Sequence, residues 1–348
     1  MTTNPEVPNP LPSKTKVRRY LFALVLSGLA VYLFLPRLAA MGHAFRVISN
    51  LRIPFVVLSI SAQVLSYLGS GYLLRSAVKL AGGPISTIDG ALMTAGANSV
   101  GTLGGGVLGT AAMTYHWLRN RGINAGAAGL GGWLPIFLND TALAILSLAG
   151  LILIIHLKKS SGVLVADFTL VFLILSAVLA TVILCLLYRE KLSLVAVAFA
   201  RFVAKVRHKP LAHAKIEAAV GYLLDRWDAL LSGGWRRPAV GAILNTGFDL
   251  LTLGFLFLAS GYHANAAVLV AGYGIPQLLG KFTVILGGIG VVEGSMVGLY
   301  RLLGAPKAAT IIVVLAYRLF SFWIPTLVGI ALIPYLDVPS TSFRRTGA

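Results

Sequence analysis

Charged residues are scarce in this sequence: Asp, Glu, Lys and Arg make up 11% of its 348 residues, less than half of the roughly 25% usual in soluble domains. Hydrophobic residues make up 57% of the chain. Because a water-soluble fold cannot bury that much apolar surface, this composition excludes a soluble enzyme, a disordered chain and a fibrous protein. The apolar runs are continuous instead of alternating, which also excludes an outer-membrane β-barrel.

Cysteine and the familiar catalytic motifs are scarce as well. The single cysteine, Cys185, lies within an apolar run, which excludes an internal disulfide and a cysteine-based metal site. The six histidines are scattered and show no zinc-ligand spacing. The sequence also lacks a nucleophile elbow, a phosphate-binding loop and a paired-carboxylate metal motif. We therefore predict no catalytic residue, no metal and no cofactor.

Positive charge is in excess, with 29 basic against 11 acidic residues. Ten of the basic residues fall between Arg189 and Arg237, and four precede Tyr20. Basic residues that flank apolar spans are typical of membrane orientation and of contact with anionic phospholipid headgroups. This placement favours membrane lipids as partners and argues against nucleic acid.

The long apolar segments predict an all-α, polytopic integral membrane protein. We place about six full spans at 20–41, 53–78, 124–157, 162–188, 238–260 and 307–336. The remaining organisation is a disordered cytosolic tail (1–19), a first membrane half (20–188), a basic amphipathic surface segment (189–237), a second membrane half (238–336) and a C-terminal tail (337–348).

Two apolar stretches, 84–122 and 265–304, are interrupted by glycines. The first break contains five glycines between positions 101 and 109, and the second contains Gly287, Gly288 and Gly290. The segment on each side of a break is too short to cross a hydrocarbon core, which takes about 20 helical residues. Both stretches are therefore predicted to be broken, re-entrant helix pairs, with two tilted spans as the alternative.

The two broken stretches align at an offset of 182 residues. This offset places Gly105 on Gly287, Arg119 on Arg301 and Gly122 on Gly304. With the N- and C-termini in the cytosol, most basic residues lie on the cytosolic side, as the positive-inside rule requires. The repeats are then inverted, an arrangement typical of transporters.

Ionisable residues within membrane spans are costly, so each is a candidate for substrate binding. Glu293 follows the second glycine break, where free backbone amides suit an anionic headgroup and the carboxylate suits a cation or a proton. Arg318, in the last span, can pair with Glu293 or bind a phosphate. A glycine cluster that serves helix packing and a purely structural ion pair are the alternatives.

Further candidates lie on other segments. Asp140, in the middle of the span 124–157, can take a proton or pair with Arg119. Lys281 and Arg301 are predicted to meet a headgroup. The complete predicted substrate site contains Glu293, Arg318, Arg301, Asp140, Arg119, Lys281, Gly287, Gly288 and Gly290.

The segment GGIGVVEG at 287–294 carries a resemblance to a known family. The chain resembles the lysylphosphatidylglycerol synthase transmembrane-region family, the flippase part of the multiple peptide resistance factor. Further matching positions are Gly304, the AYRL segment at 316–319, Pro325 and Gly329. The resemblance implies an inner-membrane protein with two re-entrant elements around a lipid cavity. The first break has no acid where many relatives have a Gly-Glu pair, which weakens a lysyl headgroup as the cargo.

Together these observations predict transbilayer movement of a membrane lipid, such as an aminoacylated or glycosylated phospholipid, by a protein that is not an enzyme. Glu293, Arg318 and Arg301 would contact the headgroup. One alternative is a membrane-embedded transferase that acts on lipid-linked substrates. Another is a non-transporting membrane partner of a lipid or glycan synthase.

Topology offers the first test. With Cys185 replaced, single cysteines at Ser160 and Ser232 should react with an impermeant maleimide from opposite sides of the membrane, because the inverted arrangement separates these loops. Labelling of intact against opened cells measures the side. Labelling of both cysteines from one side would contradict the inverted repeat.

Overall fold

The computed structural model describes residues 51–157, 230–282 and 286–338, and these residues form helices and connecting turns without any strand. Four of the described helices are long and apolar enough to cross a membrane. They correspond to four of the six predicted spans, and the spans 20–41 and 162–188 lie outside the described residues. The N-terminal tail and most of the surface segment 189–237 and of the C-terminal tail also lie outside them.

A first set of helices contains one long helix, a broken pair and a second long helix. Helix α1 (Ile53–Leu80) has Pro54 in its first turn. The broken pair comprises α2 (Thr87–Val100) and α3 (Gly106–Asn120), joined by an irregular turn at Gly101–Gly105. Helix α4 (Ala125–Leu157) completes the set. The break therefore lies at the predicted glycines.

The second set repeats this order. After a turn at Leu230–Gly234, its elements are α5 (Arg236–Ala259), α6 (Ala266–Phe282), a short turn at Leu286–Gly288, α7 (Val291–Leu302), α8 (Lys307–Arg318), a wide turn at Leu319–Trp323 and α9 (Ile324–Leu336). Helices α8 and α9 form one long span with the wide turn inside it. Each of the four helices in the two broken pairs has between 12 and 17 residues, too few to cross a bilayer alone.

The correspondence between the two sets holds at the offset of 182 residues found in the sequence. Ala125 and Lys307, the first residues of α4 and α8, are separated by this distance. Gly122 and Gly304, also so separated, both have positive φ at the turn after a broken pair. At such a helix end a left-handed backbone favours glycine.

Contacts between the sets follow the same correspondence. In α6, Gly274 packs so closely on α4 that a Cβ atom there would lie 2.5 Å from the Ser147 hydroxyl oxygen. In α9, Gly329 packs equally closely on Ser99 of α2. Positions 147 and 329 are again 182 apart. The last span of each set, α4 in the first and α8–α9 in the second, therefore packs against the first helix of the other set's broken pair.

Helices α1 and α5, the first helices of the two sets, pack against each other in antiparallel directions. The Arg52 amide, just before α1, donates to the Ala259 carbonyl at the end of α5, 3.0 Å away. Farther along α1, a Cβ atom on Gly241, near the start of α5, would lie 2.6 Å from the Leu73 Cα atom. This close approach requires glycine, because any side chain would meet backbone atoms.

Gly241→Ala tests this interface. The added methyl group overpacks the contact with Leu73, so we expect a loss of about 1–3 kcal/mol of stability, measured by reversible unfolding in mixed micelles. Gly247→Ala is the matched control, since it lies in the same helix with no atom within 4 Å of its Cβ position. There the alanine should be neutral or stabilising. Equal destabilisation by both variants would contradict the packing.

Candidate functional site

The two helix breaks contact each other, and the cavity between them is called the central cavity below. A Cβ atom on Gly287, in the second break, would lie 3.0 Å from the Thr102 methyl carbon in the first break. Between the breaks lies a cavity of ≈ 470 Å³. Its polar lining includes Asn98, Thr102, Thr110, Asn139, Asp140, Asp249, Gln277, Lys281, Tyr317, Arg318 and Ser321. Helices of both sets therefore contribute to one polar cavity.

The glycines of the second break have distinct structural roles. Gly287 lines the cavity at φ +64, where a Cβ atom would lie 2.5 Å from the Phe322 ring. Gly288, at φ +63, packs against Gly280 of α6, with only 2.8 Å between its Cβ position and the Gly280 Cα atom. Gly290 immediately precedes α7. The break thus combines a left-handed backbone with contacts that admit no side chain.

Glu293 and Arg318 form an ion pair beside this break. The Arg318 Nε atom lies 2.8 Å from Glu293 Oε1, and the Arg318 Nη2 atom donates to the Gly287 carbonyl at 3.2 Å. Glu293 Oε2 accepts from the Gly290 amide at 2.6 Å. The Arg318 and Glu293 side chains are only 5% and 18% exposed. The pair satisfies backbone groups that the break leaves free, and Arg318 also lines the cavity.

Asp140 and Lys281 form a second ion pair, which joins α4 of the first set to α6 of the second. Both side chains line the cavity and are partly exposed, at 36% and 41%. The predicted pairing of Asp140 with Arg119 is wrong. The Arg119 guanidinium instead donates to the Ile123 carbonyl at 2.7 Å, where it satisfies the chain just after α3.

Arg119 and Arg301 are not among the described residues that line the central cavity. Arg301 borders a separate surface depression between α7 and α8, together with Lys307. The structure therefore brings together Glu293, Arg318, Asp140 and Lys281 near the two breaks and leaves Arg119 and Arg301 elsewhere.

Two tyrosines and a glutamine around Asp249 of α5 were not predicted as part of the site. The hydroxyls of Tyr273 and Tyr317 both donate to Asp249 Oδ2, at 2.7 and 2.6 Å. Gln277 in turn donates to the Tyr317 hydroxyl. Because tyrosines in apolar helices usually serve helix packing, their presence in the sequence did not indicate a polar site. Spacing could have found them, because Tyr273, Gln277 and Lys281 recur every four residues and share one face of α6.

The groups that line this cavity can bind a polar molecule. Two ion pairs supply cationic groups for a phosphate, and neutral amides and hydroxyls supply donors and acceptors for hydroxyl groups. The glycines bring the backbone of both breaks to the cavity. Such a site can replace the water around a polar headgroup within the membrane.

The two ion pairs should differ sharply in energy. Because Arg318 and Glu293 are buried, either single change, Glu293→Gln or Arg318→Gln, should cost about 3–5 kcal/mol. The double variant should lose no more than either single one. The matched cycle with Asp140→Asn and Lys281→Gln should give a coupling of about 0–1 kcal/mol, since that pair is partly exposed. Unfolding in mixed micelles measures both cycles, and equal couplings would contradict the difference in burial.

Comparison with known proteins agrees with this architecture. Residues 20–329 match the model of the family described as the lysylphosphatidylglycerol synthase TM region. A UPF0104 membrane protein of Methanothermobacter thermautotrophicus is 28% identical over 87 residues, 25% of this chain and 26% of that protein. The UPF0104 membrane protein PH1989 of Pyrococcus horikoshii is 35% identical over 83 residues, 24% of this chain and 25% of that protein.

These alignments cover about a quarter of each relative's length, whereas the family match extends through both helix sets. The resemblance inferred from the GGIGVVEG segment is therefore confirmed. An all-helical chain with several apolar spans and two glycine breaks fits a membrane-embedded role connected with lipids. The protein belongs to the lysylphosphatidylglycerol synthase transmembrane-region family.

Proposed function

We propose that the protein moves a phospholipid between the leaflets of the membrane, with the headgroup in the central cavity and the acyl chains in the surrounding lipid. The observation that carries this proposal is the polar cavity of ≈ 470 Å³ at the meeting point of the two helix breaks. Polar side chains at membrane depth are costly, so a polar cavity there is a candidate substrate path. Apolar side chains cover the outward faces, among them the exposed Ile243 and Leu327.

The direction of α1 relative to α5 supports an inverted repeat. A two-fold axis in the membrane plane makes equivalent helices antiparallel, whereas an axis along the membrane normal leaves them parallel. Helices α1 and α5 occupy equivalent places in the two sets and pack in antiparallel directions. An inverted repeat provides two arrangements of similar energy, open to opposite sides, and so suits movement of a headgroup across the bilayer.

The lining of the cavity indicates the chemistry of the cargo. Lys281 and Arg318 can bind a phosphate, and Lys281 is the more accessible of the two. Neutral side chains such as Asn98, Thr110 and Gln277 suit hydroxyl groups. This combination favours a phospholipid with a hydroxylated headgroup, for which a glycosylated phospholipid is our first candidate. An aminoacylated headgroup would place its ammonium group at Asp140.

We place the protein in the cytoplasmic membrane with both termini in the cytosol, because the basic residues are concentrated on that side. The segment 189–237 would contact anionic phospholipid headgroups there. Transport without catalysis accords with the absence of a catalytic motif from the sequence.

Lys281→Gln tests the proposed cargo site. Loss of a charged contact to phosphate should slow translocation by about tenfold, the factor that corresponds to 1.4 kcal/mol. The assay is dithionite bleaching of a fluorescent phospholipid in proteoliposomes, repeated with a glycosylated analogue. Lys307→Gln is the matched control, because Lys307 lies at the separate surface depression and its loss should leave the rate unchanged.

Two outcomes would overturn the proposal. If the intact protein moves no phospholipid of either class, translocation is wrong, and co-purification of a lipid or glycan synthase would then favour the partner hypothesis. If Lys281→Gln and Lys307→Gln have equal effects, the cavity is not the route of the headgroup.

A further inference from the structure

A column of polar residues lies between α1 and α5, next to the cavity. Gln63 and Ser66 share one face of α1, and Asn245 and Asp249 share the facing side of α5. The Asn245 Nδ2 atom donates to the Ser66 carbonyl at 2.9 Å and to the Ser66 hydroxyl at 3.0 Å. Asn139 of α4 reaches the same column through a 2.9 Å hydrogen bond to Asn245.

The hydrogen bonds fix the orientation of two amides. The Ser66 carbonyl can only accept, so the Asn245 amino group must face it, and Asn245 Oδ1 must face Asn139. Asn139 therefore donates with its amino group. Its own oxygen, Asn139 Oδ1, is left buried without a hydrogen-bond partner among the described residues. A buried acceptor without a partner is costly.

Gln63 presents a second oxygen of this kind. This residue is 7% exposed, and its Oε1 atom is buried without a partner in the described part of the chain. Its side-chain amide faces the Asp249 carboxylate. Two uncharged oxygens that lack donors therefore belong to the same column as a carboxylate that lines the cavity.

Asp249 itself has only neutral hydrogen-bond donors at close range in the described segments. Tyr273 and Tyr317 donate to one of its two oxygens. Arg318 is near enough to act on Asp249 electrostatically, but its guanidinium is hydrogen-bonded to Glu293 and to the Gly287 carbonyl. Lys281, the other cation of the cavity, is paired with Asp140. The column thus combines negative charge with acceptors that need a positive partner.

We propose that Asp249, Gln63 and Asn139 bind a sodium ion. Hard cations take oxygen ligands, and one carboxylate with neutral oxygens balances a single positive charge. A divalent ion would call for more carboxylates, and the described residues contain no cluster of three His, Cys, Asp or Glu side chains. A proton on Asp249 would supply a single hydrogen-bond donor, whereas the Gln63 and Asn139 oxygens each lack a donor.

The ion site touches both helix sets, because Gln63 and Asn139 belong to the first and Asp249 to the second. Sodium binding would therefore link the sets in one state of the transport cycle and allow an ion gradient to drive lipid movement. This coupling rests on the proposed function, but ion binding does not. The test measures binding alone, so its failure is distinct from a failure of lipid translocation.

The experiment is thermal unfolding of the purified full chain in nanodiscs, followed by tryptophan fluorescence, as NaCl replaces choline chloride at constant ionic strength and pH. Sodium should raise Tm in a saturable manner, because a ligand that binds the folded state stabilises it. Asp249→Asn should abolish the sodium-dependent shift. Gln63→Met keeps the Asp249 carboxylate and the volume of the side chain at position 63 but removes the Gln63 oxygen. It should raise the half-maximal sodium concentration by about tenfold or more.

Asp140→Asn is the matched control, since it removes a carboxylate that lines the same cavity but lies outside the column. The sodium-dependent shift should persist in this variant. Loss of the shift in Asp140→Asn with retention in Asp249→Asn would overturn the assignment. An intact protein that ignores sodium but shows a Tm shift with pH, absent in Asp249→Asn, would show that Asp249 binds a proton instead.

Discussion

A helix that breaks within a membrane frees backbone N–H and C=O groups where no water can bind them, and the centre of this structure is built around that constraint. At the second break, Arg318 binds the Gly287 carbonyl and Glu293 binds the Gly290 amide. The two side chains also pair with each other. The glycines and the ion pair are thus parts of one arrangement, because the backbone that the glycines distort is the backbone that the charges satisfy.

The first break meets the same constraint without charge. The Gly106 amide donates to the Gly101 carbonyl, and the Thr110 hydroxyl donates to the Gly106 carbonyl at 3.2 Å. Because these bonds are local, the first break needs no acid. The charged residues that line the cavity lie on α4, α5, α6 and α8. The first break therefore contributes no charge to the cavity, although helices of both sets surround it.

The sequence predicted what depends on local composition. Both helix breaks followed from glycine clusters within segments too short to span a bilayer, and the Glu293–Arg318 pair was foreseen as one alternative, from two charges in adjacent apolar segments. The Asp140–Lys281 pair was not foreseen, because its partners are 141 residues apart and belong to different sets. The Asn245–Ser66 bond spans 179 residues. Such contacts depend on how the sets pack, which single-sequence patterns do not specify.

The assignment of Arg119 shows the same limit from the other direction. The offset of 182 residues aligns Arg119 with Arg301, and both residues were predicted to belong to the substrate site. In the structure Arg119 satisfies a carbonyl just after α3, and Arg301 lies in the last turn of α7. Both positions are ends of broken pairs, where a cation offsets the negative end of the helix dipole. The match between the two arginines therefore reflects the preference for a cation at a helix end. From the sequence alone, this preference could not be distinguished from a role in binding.

The difference in burial between the two ion pairs constrains how the cavity can open. Opening the Arg318–Glu293 pair would expose unpaired charge and free the backbone at the same time, at a cost of about 3–5 kcal/mol for the charge alone. The partly exposed Asp140–Lys281 pair can be opened for about 0–1 kcal/mol. It also connects α4 to α6, and so joins the two sets, whereas Glu293 and Arg318 lie within the second set. Under the proposed function, a headgroup phosphate that drew Lys281 away from Asp140 would therefore loosen the contact between the sets while each break stayed intact. The pair between the sets is thus suited to respond to cargo, and the pair within the second set is suited to preserve the shape of the site.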